Sequence, residues 1–343
     1  MQEYLSAVKE VLLNGDFKLG TRTGVHTIAD FAVERKYRIS DDSFPLVTTK
    51  KIFTKSLFHE LVWYLSGQHH IRDLRQKTGI WNAWADENGN LETAYGRFWR
   101  RFPLPSKEAM LDGEAWLDER SPYVKREDNG ALVIDQIAYV IDTLKRDPDS
   151  RRMVVSAWHP ANAIASRLPP CHYTFTISAN SRTGKMKVHL SQRSCDMAIG
   201  VPFNIACYAT LGKAIGNATG LDCVEFSQIL LDAHIYCGQA ENRGKFYEDE
   251  KNLAELRDRI GHAEKPEDYL KTKSWIEKNA PPEEKGLECS DHIPGLLLQL
   301  SRTPKPLPAL ALPRGKPLDK LVFEDFQLTG YDPHPKIDFR VAV

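Results

Sequence analysis

The chain has 343 residues, of which 46 are basic and 46 are acidic, so its formal net charge at pH 7 is zero. This length suits one large α/β domain with a sizeable core. A balanced charge excludes a broad electrostatic field for nucleic acid or an anionic membrane, so an anion must be bound by a local cluster of basic side chains. We therefore expect a small-molecule partner, with no nucleic acid and no membrane bound.

Residues 1–17 alternate apolar and charged side chains at helical spacing and contain no long apolar stretch. This pattern predicts an amphipathic helix and a cytoplasmic protein. Six cysteines lie far apart without the paired spacing of metal fingers. In a cytosolic chain such spacing favours free thiols over disulfides or zinc ligands, so no metal is expected.

Residues 21–39 begin with a turn at Arg22 and Gly24 and continue with the alternation of a strand. Residues 56–67 (SLFHELVWYLSG) carry apolar side chains around most of a helix that ends at Gly67, as a buried helix does. Glu60 is then an acid in an apolar setting, where a carboxylate is costly unless it has partners or a task.

Residues 131–152 predict an amphipathic helix that ends at Asp147 and delivers Arg151 and Arg152 to the start of the next strand. Residues 173–193 predict two alternating strands around a turn at 181–185. Residues 203–220 predict a long buried helix that ends at Gly220. The order of these elements predicts a single mixed α/β (α+β) domain over residues 1–343.

Two charge-rich stretches, at about 104–130 and 240–292, interrupt this pattern and are predicted to be peripheral helical insertions. The second contains a predicted exposed helix from about Glu248 to Ile260, with Leu253, Leu256 and Ile260 on one face. It is interpreted as a solvated surface insertion; the alternative is a partner-docking or lid element.

Cys171 follows two prolines in LPPCHY, directly before His172. Arg193 lies on the next strand of the predicted hairpin, and a nearby guanidinium lowers the pKa of a thiol and raises its thiolate fraction. Arg193 is also suited to hold a phosphate. Without these neighbours, the cysteine would equally suit a strand cap.

Asn204 stands between apolar residues in VPFNI. A buried carboxamide must satisfy its donor and its acceptor, and the N3–H and O4 edge of uracil offers the reciprocal pair. Aspartate at this position would suit cytosine instead. The alternative is an asparagine tied to the backbone of its own turn.

Long motifs then appear in order along the chain: FPLVTTKK, HELVWYLSG, DSRRMVVSAW, LPPCHY, QRSCDMAIGVPFNIACY, DAHIY and YDPHPKIDFRVAV. Together they closely resemble the folate-dependent thymidylate synthase family, over nearly the whole chain apart from the two insertions. A set of long motifs in this order is far more specific than a short pattern match.

The resemblance implies a thiol attack on dUMP with 5,10-methylenetetrahydrofolate as co-substrate, in a homodimer with shared sites. The implied catalytic residues are the nucleophile Cys171, which adds to C6, Glu60 for proton transfer at uracil O4 through water, Tyr95 for removal of the C5 proton, and His172, Asn204, Arg193 and Asp196.

The implied nucleotide ligands are Asn204 at the base, Arg22, Arg193 and Ser194 at the phosphate, Arg151 and Arg152 reaching over from the other subunit, and His234 and Tyr236 at the 3′-hydroxyl, together with Asp196. The implied folate contacts are Lys50 near the tail, Trp81, Trp84, Leu168, Asp196, Ile199, Gly200 and Phe203 around the rings, and Ala342 and Val343 in the segment that closes over the site.

The family resemblance leaves two reactions open, because both begin with the same thiol addition. In the favoured reaction hydride completes the methyl group and gives dTMP and dihydrofolate; in the alternative, a hydroxymethylase, water adds instead. Trp81, Leu168, His172 and the terminal Ala342 and Val343 keep the synthase pattern. The departures from it are Asn82, Phe98, His159 and Cys207.

Overall fold

A computed structural model of the protein describes residues 1–20 and 23–342. Its α-helices are α1 (Gln2–Asn14), α2 (Thr54–Ser66), α3 (Tyr95–Arg100), α4 (Gln136–Arg146), α5 (Pro160–Ala165), α6 (Gly200–Thr219), α7 (Arg243–Glu248), α8 (Glu250–Gly261), α9 (Pro266–Asn279) and α10 (Ile293–Leu300). Short 3-10 turns lie at Leu74–Gln76, Asn82–Trp84, Lys107–Ala109, Leu318–Lys320 and Phe323–Asp325.

The strands are β1 (Asp16–Lys18), β2 (Val25–Asp30), β3 (Val33–Arg38), β4 (Phe102–Pro103), β5 (Val124–Arg126), β6 (Leu132–Ile134), β7 (Val154–Ser156), β8 (His172–Asn180), β9 (Lys185–Gln192), β10 (Cys195–Asp196), β11 (Asp222–Leu230), β12 (Ala233–Gln239), β13 (Ala309–Ala311) and β14 (Gln327–Thr329).

The central sheet has the strand order β3-β11-β9-β8-β7. Within it β11 and β9 are parallel, whereas the other neighbours are antiparallel. Helix α6 packs closely on this sheet: a Cβ built on Gly212 would lie 2.7 Å from the Cys223 Sγ atom, so only glycine fits there. The mixed α/β prediction is confirmed.

A second sheet, β1-β2-β12-β10, carries part of the candidate site. Its strand β10 pairs parallel with β12, so that Asp196 lies opposite His234. Smaller sheets, β4-β6-β5 and β13-β14, lie elsewhere in the described part of the chain.

Several sequence predictions are confirmed. Helices α2 and α6 end at Gly67 and Gly220, whose φ angles of 72° and 79° lie in the left-handed region that favours glycine. Strands β8 and β9 form the predicted hairpin, in which His172 pairs with Gln192.

Other predictions were wrong in their boundaries. Residues 132–134 form strand β6, and the following helix begins only after Asp135, whose side chain accepts a hydrogen bond from the Ala138 N–H and caps it. Residues 25–38 form two strands, β2 and β3, instead of one, because the chain turns at Ala32, which has a φ angle of 64°.

The second insertion contains helices α7 to α9. Its helix α8 lies at the predicted place: Leu253, Leu256 and Ile260 form one buried face, and the opposite face, with Lys251, Ala254 and Asp258, is exposed. The helix lies against α1, and the Arg257 guanidinium donates to the Gly15 carbonyl at 2.5 Å. The first insertion is not helical, since it contains the 3-10 turn and strand β5. Of the helices described, none has the length and hydrophobicity needed to span a bilayer.

Candidate active site

Cys171 and Arg193 meet at the open end of the β8-β9 hairpin. Cys171 directly precedes β8 and Arg193 directly follows β9, and the Arg193 N–H donates to the Cys171 carbonyl at 2.8 Å. The guanidinium donates to the carbonyls of Pro169 and Pro170 and lies 3.9 Å from the Cys171 Sγ atom. Two backbone carbonyls therefore hold a cation beside a half-buried thiol.

A cluster of aromatic side chains packs next to Cys171. The Cys171 N–H donates to the Tyr95 hydroxyl oxygen at 2.9 Å, and the Tyr95 ring stacks on His172 with centroids 3.8 Å apart. The His172 Nδ1 atom lies 3.0 Å from the Tyr208 hydroxyl. Burial lowers the pKa of His172 to about 3 and raises that of Tyr95, so both rings are neutral at physiological pH.

Glu60 lies within this apolar region on α2. Its Oε1 atom accepts a hydrogen bond from the Trp81 indole N–H at 2.7 Å. Burial raises the pKa of the carboxyl to about 7, although the Trp81 hydrogen bond opposes the shift. Glu60 can therefore gain or lose a proton near neutral pH, as an acid or base catalyst must.

Asn204 lies in the first turns of α6 and is half-buried. Its Oδ1 atom accepts from the Gln192 carboxamide at 3.0 Å, and Gln192 also donates to the Ser194 carbonyl. Asn204 is thus held by another side chain and not by the backbone of its own turn. A Cβ built on Gly200 would lie 3.7 Å from both the Asn204 Oδ1 atom and the Asp196 Cβ atom, so these two side chains flank the glycine.

Asp196 is fixed at the start of α6. Its Oδ1 atom accepts from the N–H groups of Ala198 and Ile199, and the Nδ1 atom of His292 lies 3.7 Å away. Burial alone raises the pKa of this carboxyl, but His292, His234 and the backbone N–H groups outweigh it and hold the pKa below its ordinary value. Asp196 therefore remains a carboxylate at neutral pH.

His234 and Tyr236 lie on β12, beside Asp196. The His234 Nδ1 atom is 3.1 Å from both the carbonyl and the carboxylate of Asp232, which leaves its Nε2 atom for a ligand. The rings of His234 and Tyr236 meet edge to face at 5.1 Å.

Trp81, Trp84 and Leu168 line one cavity of about 180 Å³. The Thr93 hydroxyl, which also lines it, donates to the Leu168 carbonyl. The Trp81 ring also contacts the Tyr95 ring, with centroids 5.9 Å apart, and Tyr95 in turn binds the Cys171 N–H, so this cavity adjoins the Cys171 region. Ile199 and Phe203 are half-buried at the same end of α6 as Gly200.

The predicted phosphate ligands are only partly described. Ser194 is half-buried next to Arg193, whereas Arg151 and Arg152 are exposed just before β7, an edge strand of the central sheet. Arg22 and Val343 lie outside the described residues.

A family model described as "Thymidylate synthase" matches residues 2–343. A thymidylate synthase of Haloferax volcanii is 49% identical over 325 residues, which cover 94% of this chain and 91% of the relative. The chain belongs to the thymidylate synthase family.

Lys50, which the family resemblance assigns to the folate tail, is buried in this structure. Its Nζ atom donates to the Ala198 carbonyl and lies 4.5 Å from the centre of the Phe339 ring. Burial lowers the pKa of Lys50 to about 8, while Asp196 opposes the shift. The lysine therefore contacts both Phe339, near the C-terminus, and Ala198, just before α6.

Three residues near the candidate site were not predicted from the sequence. Gln192 begins the motif QRSCDMAIGVPFNIACY but was given no role, and Thr93 carries no motif. His292 carries no motif either, yet it is completely buried and faces Asp196. A histidine directly before the apolar run IPGLLL was the one available signal that His292 is buried.

Among the residues described, no group of three or more His, Cys, Asp or Glu could hold a metal ion.

Proposed function

We propose that the protein transfers a one-carbon unit from 5,10-methylenetetrahydrofolate to C5 of dUMP, giving dTMP and dihydrofolate, through a covalent bond between Cys171 and C6 of the base. The observation that carries this proposal is the thiol of Cys171, 3.9 Å from a guanidinium that two backbone carbonyls hold in place. Such a neighbour favours the thiolate, which is the attacking form.

Asn204 selects the base in this proposal. Gln192 holds its carboxamide, so a uracil meets a fixed donor and acceptor rather than a mobile side chain. The phosphate binds Arg193, Ser194 and Arg22, and His234 and Tyr236 hold the 3′-hydroxyl.

In this proposal Glu60 and Tyr95 assist the two proton transfers, at uracil O4 and at C5. A carboxyl with a pKa of about 7 can donate to uracil O4 through water and be restored near neutral pH. In this proposal the Tyr95 hydroxyl, whose oxygen lies 2.9 Å from the Cys171 nitrogen, assists removal of the C5 proton. His172 is a neutral ring that supports Tyr95.

The residues present fit a folate. Bound methylenetetrahydrofolate supplies the one-carbon unit and the hydride that completes the methyl group. Asp196 offers an ionised acceptor to the donor-rich pterin edge, and Trp81, Trp84 and Leu168 supply flat apolar walls. In this proposal Ile199, Gly200 and Phe203 extend these walls, and Lys50, Ala342 and Val343 keep the roles that the family resemblance assigns to them, at the folate tail and in the segment that closes over the site.

We further propose one catalytic domain over residues 1–343, with insertions at about 104–130 and 240–292, that acts as a cytoplasmic homodimer. The exposed positions of Arg151 and Arg152 support their reaching the phosphate site of a second subunit. Among the described residues the six cysteines are not joined by disulfides, which supports a reducing compartment. The zero net charge supports the expectation that neither nucleic acid nor a membrane is bound.

The proposal is tested by incubating the pure protein with dUMP and methylenetetrahydrofolate and measuring the nucleotide mass and the dihydrofolate absorbance. We expect dTMP and dihydrofolate in equal amounts. A hydroxymethyl nucleotide without dihydrofolate would instead identify the hydroxymethylase, and no product would refute the transfer.

The role of Asn204 is tested with Asn204→Asp. We expect the ratio of kcat/KM for dCMP to that for dUMP to rise by about 100-fold, because aspartate accepts from the 4-amino group of cytosine but no longer donates to uracil O4. The exposed Asn88→Asp, which makes the same charge change elsewhere, is the control and should leave the ratio unchanged. An unchanged ratio in Asn204→Asp would remove Asn204 as the base reader.

A further inference from the structure

The C-terminal segment, residues 336–342, contacts the last residues of the second insertion. The Arg340 N–H donates to the Cys289 carbonyl at 2.9 Å, and the Arg340 carbonyl accepts from the His292 Nε2 atom at 2.9 Å. The exposed Arg340 guanidinium also donates to the Gly286 carbonyl. Residues 286–292, which we call the docking segment, thus bind one residue of the C-terminus through three hydrogen bonds.

His292 connects the docking segment to the candidate active site. Its backbone N–H donates to the Tyr236 carbonyl at 2.9 Å, and its ring meets the edges of Tyr236 and Phe339. Because a carbonyl oxygen can only accept, the Nε2 atom carries the proton shared with Arg340. The Nδ1 atom then faces the Asp196 Oδ1 atom at a distance of 3.7 Å.

Other residues of the insertion hold the docking segment in place. The buried Asp291 carboxylate accepts from the Tyr247 hydroxyl at 2.8 Å and lies 3.6 Å from the Arg243 guanidinium. Glu283 accepts from the N–H groups of Cys289 and Asp291. Helix α7 and the loop after α9 therefore determine where His292 lies.

Phe339 is positioned by the same arrangement. A Cβ built on Gly295 would lie 2.6 Å from the Phe339 Cε1 atom, so the glycine leaves the space that the ring occupies. On its other side the ring contacts the Lys50 ammonium. The C-terminal segment is thus seated between the insertion and the start of α6, next to Asp196.

We propose that residues 286–292 dock the C-terminal segment and that Arg340 and His292 are positioning residues, which hold that segment beside Asp196 in the folate site. This assignment gives the second insertion a role in the reaction and rests on the proposed function. It makes the insertion part of the structure that keeps water from the reacting carbon.

The first test measures docking without turnover. Hydrogen–deuterium exchange of the amides of residues 339–342 is compared in the free wild-type protein, in Arg340→Met and in Lys336→Met. We expect exchange on the order of 10-fold faster in Arg340→Met, which loses the charged hydrogen bond to Gly286. Lys336 pairs with Asp338 in the same segment and is exposed, so Lys336→Met should match the wild type. Equal exchange in all three proteins would overturn the docking.

The second test measures the reaction. We expect Arg340→Met to raise the KM for methylenetetrahydrofolate on the order of 10-fold with little change in dUMP affinity, and to raise the fraction of hydroxymethyl product, since water then reaches the reacting carbon. His292→Gln, which keeps an N–H donor for the Arg340 carbonyl, should be less affected than His292→Leu; unfolding midpoints identify any variant that fails to fold. A KM and product ratio equal to those of the wild type in Arg340→Met would overturn the positioning role. If the wild type itself makes no dTMP, the proposed function fails, whereas the exchange result still decides the docking.

Discussion

Cys171→Ala is expected to lower the rate of dTMP formation by about 10⁴-fold or more while dUMP still binds, because a covalent mechanism cannot proceed without its nucleophile. The phosphate and base contacts at Arg193, Ser194 and Asn204 remain in this variant. Turnover is measured from dihydrofolate absorbance, and dUMP affinity by calorimetry. An unchanged rate would refute the mechanism proposed for Cys171.

The covalent bond between Cys171 and C6 can be detected directly from the mass of the intact protein. With 5-fluoro-dUMP the C5 substituent cannot leave as a proton does, so an adduct on C6 should persist and add the mass of the nucleotide and folate to the intact protein. Cys171→Ala should show no such mass. Cys223→Ala is the matched control, because Cys223 is a buried free thiol on β11, and it should form the adduct normally. An adduct in Cys171→Ala would indicate a different nucleophile.

The pairing of Cys171 with Arg193 was predictable from sequence because it depends on a local hairpin. A turn at 181–185 brings the start of β8 opposite the end of β9, and the observed pair His172 with Gln192 follows from strands of nearly equal length. Glu60 was equally predictable, since the apolar periodicity of α2 surrounds it. Both conclusions require only contacts between elements adjacent along the chain.

The environment of Asp196 was not predictable in this way. It depends on the parallel pairing of β10 with β12 and on His292, which lies at the end of an insertion of about 50 residues. Charge-rich sequence with proline and glycine indicates an exposed surface, yet α8 buries one face against α1. The sequence pattern shows which helix face is apolar but not which partner covers it.

Glu60→Gln is expected to lower kcat by about 10²- to 10³-fold, the usual contribution of a positioned acid or base. Because the pKa of Glu60 is about 7, the wild-type kcat/KM should change with pH through this value, and the glutamine variant should lack that change. The exposed Glu248→Gln serves as the control and should keep the wild-type profile. A profile that persists in Glu60→Gln would assign the titration to another group.

The same substitution should change the pH dependence of stability. The neutral carboxyl of Glu60 contributes stability that is fully present below its ordinary pKa of 4.5, and this contribution is lost as pH rises through about 7, because the folded protein then buries a charge. Glutamine stays neutral, so the free energy of unfolding of Glu60→Gln relative to wild type should rise by about 3 kcal/mol between pH 4 and pH 8. Urea unfolding at both pH values measures this difference, and Glu248→Gln should show none. A constant difference across this range would mean that the pKa of Glu60 is the same in the folded and unfolded protein, and would contradict the proton transfer near neutral pH proposed for it.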